Sequence, residues 1–258
     1  MPAPEEFVAW LTSHEHRDAK TGNVYRYHSR SDAHSIALCS FILSDLLAGC
    51  PVLREQAARG EIAYGINLEY RWPSTGKAKR LDLAIGRPAT PVDFPAQGGM
   101  MKVKALADVL ISCEAKSVMT EHGKAQPRVY DELSSSHEIV HQGRPDAVAT
   151  GITVVNIAPR FVSPLRQAPG APLYVSVHNQ PRAAERMIQH LRGLPIRENP
   201  GQVGFDAYCT VVVDTDNQGP AHLWSASPAP QPGDPDSYGS FITRIAHFYT
   251  QRFAHLPT

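Results

Sequence analysis

The stretch Ile111-Ser112-Cys113-Glu114-Ala115-Lys116-Ser117 decides how this chain is read. It has the composition of a buried strand, yet it carries a carboxylate and an ammonium two residues apart. Side chains alternate along a strand, so Glu114 and Lys116 share one face while Cys113 and Ala115 share the other. Such a pair is either an exposed ion pair or a site. Upstream, Asp82 stands in "KRLDLAIG" (79–86), an acid within an otherwise apolar strand, where a carboxylate without a cation is costly. If that strand lies beside the strand of Glu114, two carboxylates and Lys116 converge at one end of a sheet.

The flanking sequence predicts such a sheet. "IAYGINLEYRW" (62–72) and "AKRLDLAIG" (78–86) alternate, and "PSTGK" between them carries turn chemistry, which predicts an antiparallel hairpin. Helices are predicted over 5–11, over 31–50 with Ser31 or Asp32 as cap, and over 52–60. After the Glu114 strand, "AQPRVYDELSSSHEIVHQG" (125–143) reads as a helix with Pro127 in its first turn. The β-branched run 147–158 reads as a buried strand. Helices over 181–193 and 238–253 bracket a strand, turn and short strand over 207–225. The segment 100–109 suits helix or strand, and "FPAQGG" (94–99) suits a loop. The fold class expected is α/β, a central mixed β-sheet flanked by helices, with the whole chain 1–258 as one domain.

Composition excludes few functions. With 258 residues, 42% of them hydrophobic, and a formal net charge of zero, the chain can bury a core, and no global field points to nucleic acid or membrane. Four scattered cysteines without CxxC spacing suggest reduced thiols, and the acidic N-terminus lacks a signal-peptide pattern, so a cytoplasmic protein with no membrane span is expected. There is no P-loop, dinucleotide fingerprint or nucleophile elbow, so no nucleotide cofactor is expected. Phe241, Ile245, Phe248 and Phe253 fall at helical spacing and read as core or a dimer face rather than a cofactor site.

Asp82 and Glu114 offer hard oxygen ligands, the Ala115 carbonyl can add another, and waters complete the octahedron that Mg²⁺ prefers, with Mn²⁺ as a substitute. Glu69, on the partner strand of the hairpin, is a candidate third carboxylate. Lys116 lies close enough to orient a water or offset charge on a phosphate. An acid on a hairpin strand followed by E-x-K on the next strand resembles the PD-(D/E)xK nuclease superfamily, which includes many type II restriction endonucleases. Asp82, Glu114 and Lys116 match its acid, second acid and lysine, although Leu81 stands where many members have proline. The resemblance implies a restriction-endonuclease-like core over about 31–158, a metal-dependent endonuclease acting on double-stranded DNA in restriction or defence, and a homodimer that cuts both strands. Polar and basic residues at the strand exit (Thr120, His122, Lys124, Gln126, Arg128) and before the long N-terminal helix (Arg30, Ser31, His34) are candidate DNA contacts.

Two other readings compete. The chain could keep this fold as a DNA-binding protein that does not cleave. Alternatively, His137-Glu138-Ile139-Val140-His141 matches the H-E-x-x-H pattern of zinc metalloproteases, with both histidines on one helical face and His178 as a distant third ligand.

Overall fold

Period-2 and period-3.6 segments alternate along this chain, and the structure, a computed structural model describing residues 1–91 and 99–256, converts them into strands and helices in that order. The loop expected over 94–99 falls outside the described residues except for Gly99. The elements are α1 (Ala3–Ser13), β1 (His16–Arg17), β2 (Val24–Tyr25), α2 (Ala33–Gly49), α3 (Pro51–Ala58), β3 (Ala63–Arg71), β4 (Ala78–Gly86), β5 (Met101–Lys102) and β6 (Ile111–Val118). They continue with α4 (His122–Gly143), β7 (Val148–Asn156), β8 (Arg160–Val162), β9 (Val175–Val177), α5 (Arg182–Leu191), β10 (Ala207–Asp214), β11 (His222–Leu223) and α6 (Tyr238–Phe253).

Seven strands form one mixed sheet in the order β11-β10-β7-β6-β4-β3-β5, with β6, β7 and β10 parallel and β4 antiparallel to both β3 and β6. Parallel neighbours need crossovers, and α4 (β6 to β7) and α5 (β7 to β10) supply them. Both pack on one face, where Leu133 and Val140 of α4 and Met187 and Ile188 of α5 meet Ala149 and Val212 of the sheet. The opposite face is covered by α1, α2, α3 and α6, whose Phe7, Ile42, Leu53 and Phe241 pack with Leu83, Cys113 and Val211. Every β7 residue is buried, as expected for a strand covered on both faces.

Several expectations change. The strands expected over 207–225 join the sheet as β10 and β11, and Phe253 shares a core with Phe7, so the C-terminal third is part of the core rather than an elaboration on residues 31–158. Helix α4 begins at His122, so Pro127 lies inside it, in the second turn, where its absent N–H removes one hydrogen bond that tertiary packing offsets. In 100–109 the strand is limited to Met101–Lys102. The Ser31 hydroxyl accepts from Ala33 N, and the Asp32 side chain makes no cap bond. All four cysteines are buried and unbridged, and among the described residues no single helix is long and apolar enough to cross a membrane.

One local departure from regular pleating positions everything that follows. The β3/β4 register pairs Ile66 with Leu83 and Leu68 with Leu81, while Asn67, at φ 52°, and Asp82 between them are not paired. No residue is inserted, yet the faces exchange. Ile66 and Leu83 belong to the α2/α6 side, whereas Leu68 and Leu81 belong to the α4/α5 side. A left-handed residue in a strand interrupts the strict alternation of side chains, and asparagine tolerates that conformation better than most. Asn67→Val is therefore expected to cost about 1–2 kcal/mol, with Asn67→Gly close to neutral. Denaturant unfolding of the two variants checks this, and equal stabilities would rule out the left-handed residue as the cause.

Candidate active site

Strands β4 and β6 pair only through Leu83–Ile85 and Ile111–Cys113 and then fork, leaving Asp82 and Glu114 at the branch point. Across the fork the Asp82 carboxylate accepts a hydrogen bond from Ala115 N at 2.8 Å, replacing the missing ladder partner. The N–H and C=O of one strand residue face the same neighbour, so the Ala115 carbonyl also faces the fork. Glu114 is 6% exposed and fully engaged: Oε1 lies 2.7 Å from Lys116 Nζ, Oε2 lies 3.1 Å from Lys79 Nζ, and Oε2 accepts from Ser136 Oγ at 3.1 Å. Lys116 Nζ also meets Glu132 Oε2 at 3.1 Å, and Glu132 Oε1 accepts from Arg128 Nη1 at 3.0 Å.

Burial, and then the charge of Glu114, push the Asp82 carboxyl up to about 6 against the opposing pull of the Ala115 hydrogen bond and the lysines. Burial works against the Lys116 ammonium, but Glu114 and Glu132 hold it above its ordinary range. Burial likewise raises Glu132, and Lys116 and Arg128 outweigh it, leaving its carboxyl below the usual range. The cluster thus joins three carboxylates to three cations, with Asp82 the group whose negative charge is least well satisfied.

That imbalance is the observation against which a metal can be judged. Among the described residues no three His, Cys, Asp or Glu side chains converge into a cage. A divalent ion here would rest on Asp82, Glu114 and the Ala115 carbonyl, and Mg²⁺ ordinarily binds through one or two carboxylates while keeping several waters. The donor set fits such an ion. It would also satisfy the raised Asp82 carboxyl, whereas Glu114 would have to exchange at least one ammonium partner for it.

Asp82, Glu114 and Lys116 are brought together as expected, and Glu69 is not. The face exchange at Asn67 puts Leu68 and Tyr70 on the α4 side, so Glu69, exposed and opposite Arg80, points to the other face from Glu114. His122 is also excluded as a phosphate contact, because it is 2% exposed and its Nε2 bonds the Asn156 carbonyl at 2.7 Å. His34 is partly buried and packs on Tyr27 with ring centroids 4.6 Å apart, and burial pushes its pKa down to about 4. Arg30 is exposed and Gln126 partly so. Thr120, Lys124 and Arg128 line one pocket of about 240 Å³ with Tyr27, Ser117 and Phe161, directly beyond Lys116.

Lys79, Glu132 and Ser136 escaped the sequence reading. Strict alternation puts Lys79 and Asp82 on opposite faces, and only the reversal at Asn67 and Asp82 turns Lys79 toward Glu114. The spacing of Arg128, Glu132 and Ser136, each four apart on α4, was a usable signal for one helical stripe facing the site.

The H-E-x-x-H residues form a different structure. His137 is 1% exposed, stacks edge-on with Phe205 at 4.8 Å, and has no hydrogen-bond partner at either ring nitrogen among the described residues. His141 Nε2 lies 3.2 Å from Asp206 Oδ2, a carboxylate shared with Arg197 and Arg252. Glu138 is exposed, and His178 instead bonds Thr120 at 3.0 Å. This geometry favours a packed helix face over a zinc centre. Comparison with protein-family models, curated proteins and solved structures gives no significant match.

Two stability effects follow. An Asp whose folded pKa is raised from 3.8 to about 6 weakens the fold as pH rises through that interval. Asp82→Asn keeps an oxygen for Ala115 N–H, so at neutral pH it should stabilise by roughly 1–3 kcal/mol, whereas Glu114→Gln takes the carboxylate partner from Lys79 and one of the two from Lys116 and should destabilise by about 3 kcal/mol. Melting curves test the contrast, and a destabilised Asp82→Asn would mark Asp82 as a purely structural acceptor. Burial lowers His122 and His137 from 6.5 to about 4, so the unfolded chain binds more protons between those values. The histidine contribution should be full above about pH 6.5 and fall towards pH 4 by roughly 3 kcal/mol per histidine, against the opposite trend of Asp82, and His137→Leu should remove one such increment from the calorimetric profile. An unchanged slope would remove His137 from the account.

Proposed function

We propose that this protein is a divalent-metal-dependent endodeoxyribonuclease with a restriction-endonuclease-like core. The observation that carries the reading is the β4/β6 fork, where the Asp82 carboxyl, raised by burial and by Glu114, bonds the backbone of Ala115 while Lys116 pairs with Glu114 across the same fork. A buried carboxyl raised by desolvation and by a neighbouring acid, where two strands diverge, marks a candidate hydrolase site.

Asp82 and Glu114 would hold Mg²⁺, or Mn²⁺ in its place. When bound, the ion supplies Lewis acidity at the phosphate and lowers the pKa of a coordinated water. Lys116, kept protonated by Glu114 and Glu132, orients the attacking water and offsets charge on the phosphate oxygens. Glu132 and Arg128 hold that ammonium in place. The water oxygen forms a new bond to phosphorus as the P–O bond to the departing strand breaks, and the proton the water loses to solvent is balanced by the one the departing oxygen takes up. Cutting both strands of a duplex calls for two such sites, which a symmetric homodimer provides. A role in restriction or defence rests on the resemblance of Asp82, Glu114 and Lys116 to the PD-(D/E)xK pattern.

The full engagement of Glu114 by Lys79, Lys116 and Ser136 favours a second reading, a DNA-binding protein of the same fold that does not cut. Cleavage of unmodified and methylated plasmid, with Mg²⁺, Mn²⁺ or chelator, separates the two. The nuclease reading expects metal-dependent cutting that falls by roughly a hundredfold or more in Lys116→Ala and Asp82→Ala. Cutting that survives both substitutions, or none under any condition, overturns it.

A further inference from the structure

Strands β6 and β7 end side by side at Val118 and Val155, and the β8–β9 ribbon leaves the sheet from that edge, the same edge towards which Lys116 lies. Its charge is unusual for a chain whose formal net charge is zero. From Ala147 to Ala184, a run that holds β7, the ribbon and the start of α5, there is no Asp or Glu, while Arg160 and Arg166 fall in the ribbon and Arg182 opens α5 beside it. Arg160 and Arg182 are exposed, and Arg166, 44% exposed, lies over the Tyr174 ring at 5.3 Å. The ribbon is anchored. Asn217 Nδ2 donates to the Val162 carbonyl at 2.8 Å, Val162 N donates to the Asp216 carbonyl at 2.9 Å, and His178 bonds Thr120.

Two pockets flank its base. One, of about 240 Å³, is lined by Thr120, Lys124, Arg128 and Ser163; the other, of about 450 Å³, by Lys124, Arg166, Ser176, His178 and Asn179. Between them the Glu121 carboxylate pairs with both Lys124, at 3.2 Å, and Arg166. Glu121 itself is held at φ 51°, in the left-handed region that favours glycine. Two cations are therefore already arranged around one anionic group at the mouth of both pockets, next to the Lys116–Glu132–Arg128 chain that leads back to the fork.

We propose that the β8–β9 ribbon, with Lys124 and Arg128 at its base, is a second contact surface for the backbone phosphates of duplex DNA, gripping the strand as it leaves the β4/β6 fork. The inference rests on the nuclease reading for its direction along the DNA. A two-stranded ribbon is narrow enough to enter a major groove, and arginine is the side chain best matched to phosphate. Exchange of the Glu121 carboxylate for a phosphate keeps both cations paired. Arg160 and Arg182 then meet neighbouring phosphates.

Binding of a fluorescent duplex to the full chain in chelator, followed by anisotropy across a KCl series, tests this separately from cleavage. The variant carrying Arg160→Glu, Arg166→Glu and Arg182→Glu should lose roughly tenfold or more in affinity, and its log K against log salt slope should be shallower by about 2–3. Arg160→Gln with Arg182→Gln, both at exposed positions, serves if the triple variant fails to fold, and should lessen the slope by about 2. A folded variant that binds with the wild-type affinity and slope overturns the ribbon assignment while leaving the nuclease reading intact. Ribbon-dependent binding by a wild-type protein that never cuts overturns the nuclease reading and keeps the ribbon. Absence of wild-type binding to the duplex overturns the ribbon.

Discussion

The hydrogen bond from Ala115 N to the Asp82 carboxylate is the interaction on which the site depends. Where two antiparallel strands fork, the backbone groups facing the gap lose their ladder partners, and an unpaired buried N–H is costly. Asp82 fills that role with a side chain, at the position where β4 stops pairing with β6. The same bond fixes the carboxylate beside Glu114, and the proximity of two acids in a poorly solvated place raises the Asp82 pKa. Backbone satisfaction and chemical potential thus come from one contact.

Around that contact the cations are distributed by element. Lys79 arrives on β4, Lys116 on β6, and Arg128 on α4 through Glu132. The helix α4, the crossover between two parallel strands, lies over the sheet face that carries Glu114 and Lys116, as its Ser136 and Glu132 contacts show. The helix therefore closes one side of the fork by topology, and its Ser136 and Glu132 follow from the four-residue repeat. Burial under α4 strengthens each of these pairings by lowering the local dielectric, and it raises the cost of leaving any one member alone.

The same topology explains why the polar residues after β6 divide into two groups. His122 turns inward to the Asn156 carbonyl at the end of β7, while Thr120, Lys124 and Arg128 line the pocket that opens beyond Lys116. The H-E-x-x-H pair lies two turns further along α4, where the helix packs on Phe205 and Asp206, so a motif with metal-site spacing serves as packing and as part of a buried ion network. Motif spacing alone does not distinguish these uses, because both require two histidines on one helical face.

The sequence by itself determined the hairpin, the crossover helix and the buried strand after it, which follow from local periodicity, and the cost of an acid in an apolar strand singled out Asp82; that its strand pairs with the strand of Glu114 was decided by the tertiary structure. The sequence also contained the core positions of α6, where aromatic residues recur at helical spacing. Tertiary structure alone decided which face of β3 and β4 each residue occupies beyond Asn67. A single left-handed residue interrupts a two-residue period without changing composition, so it excluded Glu69, turned Lys79 toward Glu114, and left no trace in the alternation pattern. It likewise decided that the last third of the chain belongs inside the sheet, because β10 pairs with β7 across more than fifty residues of sequence, a distance at which local pattern carries no information about partners.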